Sequence, residues 1–342
     1  GAVEARLSDA LHDRLTQRFV DRRTAVLVRD IGARGADALP VTVAADGEVS
    51  VGPEPIGHLA GFEFTVDPNA RLADKRLLLA AAERRLGEEL DRRARALAEA
   101  PDSEFALLTE AGTEVAVGWN GHRLARLAPG RSLTEPALRT ARPLDRLSAP
   151  VRAALRARLE ALAARHLGDL ARLGRASSDP THSPTVRALT AMLADAGGTL
   201  PRKALAAPIG QLTKGDRAAL FRLRVRLGAL DAFLPALLKP EAQRWRAALI
   251  AVRSGGPMPR LPAPGAGVLD GSADPRGAVL AYRRLGAAWL RIDLADRLAA
   301  HAHKVRAAQG NDPVDRPLAT SLGLDEPTLA ILMDHVGFRP EG

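Results

Sequence analysis

Apolar and polar positions alternate along this chain with a period that changes several times. Residues 6–29 predict one amphipathic helix, because Leu7, Leu11, Leu15 and Phe19 recur every four residues while Arg14, Arg18, Arg22 and Arg23 lie off that stripe. From Val41 the period shortens. Val41, Val43, Val49 and Val51 flank Ala45-Asp46-Gly47, a hairpin signal. Gly57 to Asp67 reads as a continuing strand in which Phe62, Phe64 and Val66 alternate, ended by Asp67-Pro68-Asn69. A long helix is predicted from about Ala73 to Ala100, stopped by Pro101-Asp102. Hairpin signals at Glu110-Ala111-Gly112 and Asn120-Gly121 then bracket Val115 to Trp119. Residues 40–135 therefore predict a small α+β domain, two strand pairs around a helix.

Beyond Pro150 the helical period returns. Residues 150–173 predict one helix with Leu155, Leu159, Leu162 and Leu170 on its apolar face and Arg152, Arg156, Arg158, Arg165 and Arg172 in solvent. A polar linker, a helix over 185–195 and a short helix N-capped by Thr213 follow. Phe221 to Leu227 alternates apolar residues with arginines; as a strand it sets Arg222, Arg224 and Arg226 on one face. Such a face either meets a polyanion or is a solvated outer face with local partners such as Asp216 and Asp231. A helix carrying Trp245 is expected over 239–253, and the Gly/Pro-rich stretch 255–277 reads as a linker or loop. Two short strands turning at Leu285-Gly286, a helix from Asp293 to about Ala308 and two short closing helices complete the chain. The closing pair has helix-turn-helix spacing, which any tight helical hairpin shares.

The expected fold class is α+β, predominantly helical. Its parts are an N-terminal amphipathic helix (1–31), the small α+β domain (40–135), a basic, mainly helical domain with a short strand (150–254), the linker or loop (255–277) and a C-terminal α+β/helical region (278–342).

Composition narrows the function. With 46% hydrophobic residues the 342-residue chain can bury real cores, so wholesale disorder is excluded, and no apolar stretch is long enough to span a bilayer. Zero cysteines exclude a disulfide scaffold, thiolate metal sites and cysteine nucleophiles. Nothing at the N-terminus resembles a signal peptide, so a cytoplasmic location is expected, and the opening Gly1 suggests a piece of something longer.

The net charge of +9 is unevenly placed. Residues 1–150 carry 21 Lys/Arg against 23 Asp/Glu, residues 254–342 carry 10 against 10, and residues 151–253 carry 18 against 7. A GC-rich genome explains why only five of the 49 bases are lysine, but not why acids thin out between 151 and 253. A basic field confined to one segment points to a polyanion, nucleic acid before anionic membrane. The candidate phosphate contacts are Arg152, Arg156, Arg165, Arg202, Lys203, Lys214, Arg217, Arg222, Arg224, Arg226 and Lys239. With 11 aromatics in all, a broad stacking platform is not expected; Trp119, Trp245, Phe221 and Phe233 are the few candidates for stacking, and a core position is the favoured reading of each.

No catalytic constellation emerges. Gly210 and Gly215 have the outer spacing of a phosphate-binding loop, but Asp216 follows where a lysine is needed. Gly265-Ala266-Gly267 lies among prolines rather than between strand and helix. His301 and His303 fall about 200° apart on a helix, too far to share a metal. No metal or cofactor of its own is expected for this chain.

Four segments together resemble a known family. They are Leu11 to Arg23, Gly57 to Pro68 with its Gly-Phe-Glu-Phe core, Leu234 to Ala242, and Tyr282 to Leu298 containing Trp289-Leu290-Arg291-Ile292-Asp293. Their order and spacing resemble the region after the motor core of alphaproteobacterial superfamily 2 helicases of the DExH type, which are similar to the mitochondrial degradosome RNA helicase. The resemblance implies a parent ATPase that moves on nucleic acid, with ATP and Mg held by its motor. This chain would be its C-terminal, non-catalytic accessory portion, with single-stranded RNA or DNA and the motor as partners and no membrane. The family's ATP-binding residues match no position here. A protein-docking module that attaches the motor to a partner is the alternative.

Overall fold

The computed structural model describes residues 41–52, 54–67, 72–109, 114–308 and 314–338. The predicted helix over 6–29 and the hairpin signal at Glu110-Ala111-Gly112 lie outside them. The fold is α+β, with eleven helices and fourteen strands among the described residues. They form two compact units. Among the described residues, one comprises those up to Ala106 with Gly118–Leu124 and Thr140–Arg158; the other comprises those within Leu107–Val117, Ala125–Arg139 and from Leu159 on.

The first unit is built on an antiparallel meander, β1 (Val41–Val43), β2 (Glu48–Val51), β3 (Glu54–Ala60) and β4 (Glu63–Val66), paired in that order. The expected strand from Gly57 to Asp67 is broken in the middle. Gly61 adopts φ 57° and turns the chain into a hairpin, which buries Phe62 in the turn. The helix α1 (Leu72–Glu99) packs on β1–β3, and Leu86, Leu90, Ala94 and Leu97, spaced as one helix face, are buried. Arg93 ties it to the hairpin by donating to the Gly61 carbonyl at 3.1 Å.

Glu89 holds that end of α1 together. It accepts two hydrogen bonds from Arg92, both at 2.7 Å, and one from Arg93 at 2.8 Å. The Arg92 hydrogen bonds, with those of Arg93, keep its carboxyl well below 4.5, at about 2. The folded carboxylate thus releases its proton more readily than the unfolded one. Its stabilising contribution is complete above pH 4.5 and is lost as the pH falls toward 2. Glu89→Gln should therefore flatten the acid limb of a stability-against-pH curve between those values, as read by urea unfolding at a series of pH values. An unchanged acid limb would refute this role.

A second meander, β5 (Phe105–Thr109), β6 (Val115–Trp119), β7 (His122–Ser132) and β8 (Glu135–Thr140), divides its residues between the two units. Four strands thus lie on either side of α1 in sequence, where two strand pairs were expected. Asn120 and Gly121, at φ 48° and 79°, make the turn that joins β6 to β7.

The helix predicted over 150–173 is two helices, α2 (Ala149–His166) and α3 (Gly168–Ser178), because Leu167 leaves the helical conformation at φ −98°, ψ 3°. Arg158 is not solvated as expected. Its side chain is 13% exposed, pairs with Asp102 at 2.7 Å and lies over the Phe105 ring. The partner of α3 is α4 (Pro184–Asp195), and Leu170, Leu173, Val186, Leu189 and Leu193 are buried in this pair.

Next come β9 (Thr199–Pro201), α5 (Ala206–Gly210), α6 (Lys214–Arg222), β10 (Arg226–Leu227), β11 (Asp231–Phe233) and α7 (Pro240–Ser254). Their three strands form a sheet ordered β10-β11-β9. The Gly/Pro-rich stretch contributes β12 (Val268–Leu269) to a sheet with β13 (Tyr282–Leu285) and β14 (Ala288–Arg291), ordered β12-β14-β13, and also holds α8 (Pro275–Ala278). The last described helices are α9 (Ile292–Ala307), α10 (Arg316–Ser321) and α11 (Glu326–Val336); Leu294 and Leu298 of α9, Ala319 of α10 and Leu329 and Leu332 of α11 share one core with Leu285 of β13 and Leu290 of β14. No described helix is long and apolar enough to cross a membrane.

Arg246, on α7, is the largest fully buried side chain among the described residues. It donates from Nε to the Gly197 carbonyl at 2.6 Å, from one terminal nitrogen to the carbonyls of Leu237 (3.1 Å) and Leu280 (2.7 Å), and from the other to the Thr199 hydroxyl at 3.0 Å. All four partners are neutral, and burial pushes the guanidinium down, to about 9. The Gly197 carbonyl reaches it because Gly197 and Gly198 both take positive φ, 71° and 91°; a Cβ on Gly198 would collide with Leu237.

Candidate nucleic-acid interface

The arginine-rich segment is not the strand its alternation predicts. Phe221 and Arg222 end α6, Arg224 sits alone in the left-handed region at φ 61°, and only Arg226 and Leu227 are extended. The start of α6 is fixed by a capping box: Thr213 Oγ1 accepts from the Asp216 amide at 3.1 Å, and Asp216 accepts from the Thr213 amide at 2.9 Å. Its end is a Schellman turn, in which the Val225 amide donates to the Leu220 carbonyl and the Arg224 amide to that of Phe221, each at 2.9 Å. Leu220 and Val225, at either side of the turn, are buried.

Glycine is the usual residue at the left-handed position of such a turn; here it is an arginine. Arg224→Gly should relieve the Cβ strain and raise stability by about 0.5 kcal/mol. If the Arg224 side chain serves a ligand, the same substitution weakens binding. Thermal unfolding and a binding titration on one preparation would separate the two effects, and a loss of stability would contradict the strain.

This turn brings four of the eleven candidate residues to one open cleft of about 780 Å³ in the second unit. Arg217, Arg222, Arg224 and Arg226 line it with Leu227, Leu234, Pro235 and Ala236. Arg217, Arg222 and Arg224 make no ion pair among the described residues. Arg226 is committed: its Nε lies 2.5 Å from Asp296, which also accepts from the Ala229 amide at 3.0 Å. That carboxylate can approach because Gly228 has no Cβ to strike it. Asp169, the acid in the cleft lining, is itself paired with Arg172 at 3.1 Å.

The two acids expected to neutralise an arginine face are engaged elsewhere. Asp216 serves the capping box and accepts from the Ser183 hydroxyl at 2.6 Å, and these hydrogen bonds, led by that from Ser183, hold its carboxyl below the ordinary range. The Asp231 carboxylate takes two hydrogen bonds from Arg283, at 2.8 and 2.9 Å, while burial pushes its carboxyl up.

The other candidates lie outside the cleft lining. Lys214 is exposed on the first turn of α6, three residues before Arg217 and on the same helix face. Arg202 is spent on the Gly228 carbonyl at 2.9 Å, next to the exposed Lys203. Lys239 is exposed just before α7, and Arg165 is exposed on α2. Arg152 and Arg156 belong to the first unit, where Arg152 donates to the Asp145 carbonyl at 3.0 Å.

Phe221, a stacking candidate for which the sequence favours a core position, is placed otherwise: its side chain is 81% exposed and stands in the cleft. Trp245 and Phe233 are buried as expected, with Trp245 stacked on His166 at 5.0 Å between ring centroids. The signal was helical: Lys214, Arg217 and Phe221 follow i, i+3, i+7, a single face on which an aromatic accompanies two cations.

Among the described residues no group of three His, Asp or Glu side chains could hold a metal. His301 faces Asp315 and His303 lies against the Phe338 ring. What the cleft offers is cationic donors around an apolar floor. No family model, curated protein or solved structure matches the chain, so its function is drawn from that chemistry.

Proposed function

We propose that this chain is a non-catalytic nucleic-acid-binding module that holds a single strand of RNA or DNA through phosphate contacts. The observation that carries the proposal is the convergence of Arg217, Arg222 and Arg224, none in an ion pair among the described residues, on one open cleft within the segment that holds the excess positive charge. Guanidinium groups in such a setting bind phosphate oxygens in preference to water and release counterions as they do. The module reads no sequence by this means; it supplies affinity.

The helicase context rests on the sequence resemblance alone. In it the chain is the accessory part of an ATP-dependent parent acting in the cytoplasm, whose motor supplies ATP and Mg chemistry while this part guides the strand. In this reading the chain supplies no catalytic residue of its own.

The test is fluorescence anisotropy of the full chain with labelled single- and double-stranded RNA and DNA over a range of salt. Three phosphate contacts on a single strand predict that log K falls against log salt with a slope of about −2. No binding at low salt would overturn the proposal and favour a protein-docking role.

A further inference from the structure

We propose that the cleft takes one unpaired nucleobase, stacked on the Phe221 ring, while Arg217, Arg222 and Arg224 hold the phosphates on either side of it. The inference rests on the nucleic-acid reading above and adds what phosphate contacts alone do not supply, a preference for unpaired strand.

Three features point to a base. Phe221 is the only exposed aromatic among the described residues, so water is in contact with most of an apolar ring that the fold leaves unburied. The cleft beside it has a floor of Leu227, Leu234, Pro235 and Ala236. Its rim is cationic, with Asp169 and Arg226 each already in an ion pair.

A nucleobase matches this division. Its faces are flat and apolar and suit the ring and the floor, while the phosphates on its two sides suit the guanidinium groups. The placement of Phe221 between Arg217, four residues earlier on the same helix face, and Arg222 and Arg224 sets the ring among the charges. In a duplex both faces of each base are already stacked on neighbours, so only an unpaired base is free to enter. Every base offers a π face, so the contact tolerates all four. One exposed ring accommodates one base.

The probe is a labelled single-stranded 12-mer, with its duplex and a strand of the same length carrying abasic sites throughout. Each is titrated against the full chain, Phe221→Ala and Phe221→Trp at one fixed salt concentration, and again across a salt series. Because Phe221 is exposed, both variants should unfold at the wild-type temperature.

Phe221→Ala is expected to weaken single-strand binding by about tenfold, a typical loss for one stacked base. Phe221→Trp should retain it, and the salt slope should stay the same in all three proteins. The wild type should bind the abasic strand as weakly as Phe221→Ala binds the normal one. Undiminished binding by Phe221→Ala, or equal wild-type binding of the normal and abasic strands, with the salt dependence intact, would overturn the stacked base and leave the phosphate reading standing. Absence of any salt-dependent binding would overturn both.

Discussion

Replacing Arg217, Arg222 and Arg224 together by glutamate should lower the affinity for single-stranded nucleic acid by on the order of 100-fold near 0.1 M salt. The slope of log K against log salt should flatten toward zero, because each lost contact removes about 0.7 from it. All three side chains lie on an open rim without an ion pair among the described residues, so reversing their charge breaks no observed bridge. The design leaves Arg226 alone for a physical reason. A glutamate there would face Asp296, whose other oxygen accepts from the Ala229 amide, and the resulting repulsion would confuse lost folding with lost binding. Anisotropy titrations at four or more salt concentrations, with circular dichroism as the folding control, check the outcome. A triple variant that keeps wild-type affinity and slope would remove the cleft from the binding surface.

The largest expected loss of stability follows from Arg246→Ala. Truncation strips hydrogen bonds from the Gly197, Leu237 and Leu280 carbonyls and the Thr199 hydroxyl, in a site closed to water. Each buried polar group left without a partner costs about 1–3 kcal/mol, and the vacated volume adds a cavity term. Even with partial relaxation the sum is on the order of 4–5 kcal/mol, a large share of the 5–15 kcal/mol that holds a typical domain together. Arg246→Met restores volume but no donors, so it should recover only the cavity part. Urea unfolding of the three proteins measures this directly. A loss below about 1 kcal/mol for the alanine variant would mean that water or a side-chain shift replaces the guanidinium.

Much of the fold could be read from the chain because its signals are local. Asn120-Gly121 demands a positive-φ turn and makes one. Thr213 caps the start of a helix as expected, and the strands turning at Leu285-Gly286 pair as β13 and β14. The cleft was harder to read for an equally specific reason. In Phe221 to Leu227 arginine alternates with apolar residues at period two, which imitates a strand. The structure reaches the same segment by ending a helix, and the left-handed residue that ends it is Arg224, with no glycine to announce the turn. Phe221 was misplaced for the same reason, since its helix face became visible only once α6 was known to extend through it. The break at Leu167 shows the opposite failure: Gly168 was present, but the leucines on either side continue the helical stripe across it.

The way the two units share the chain has a consequence for descent. Passing along the sequence, the backbone changes unit after Ala106, Val117, Leu124, Arg139 and Arg158. No single breakpoint in the gene therefore separates the two units: a piece starting at Leu159 leaves Leu107–Val117 and Ala125–Arg139 behind, and one starting at Leu107 takes Gly118–Leu124 and Thr140–Arg158 of the first unit along. A recombination event that moves the cleft with its whole unit therefore carries part of the other unit with it.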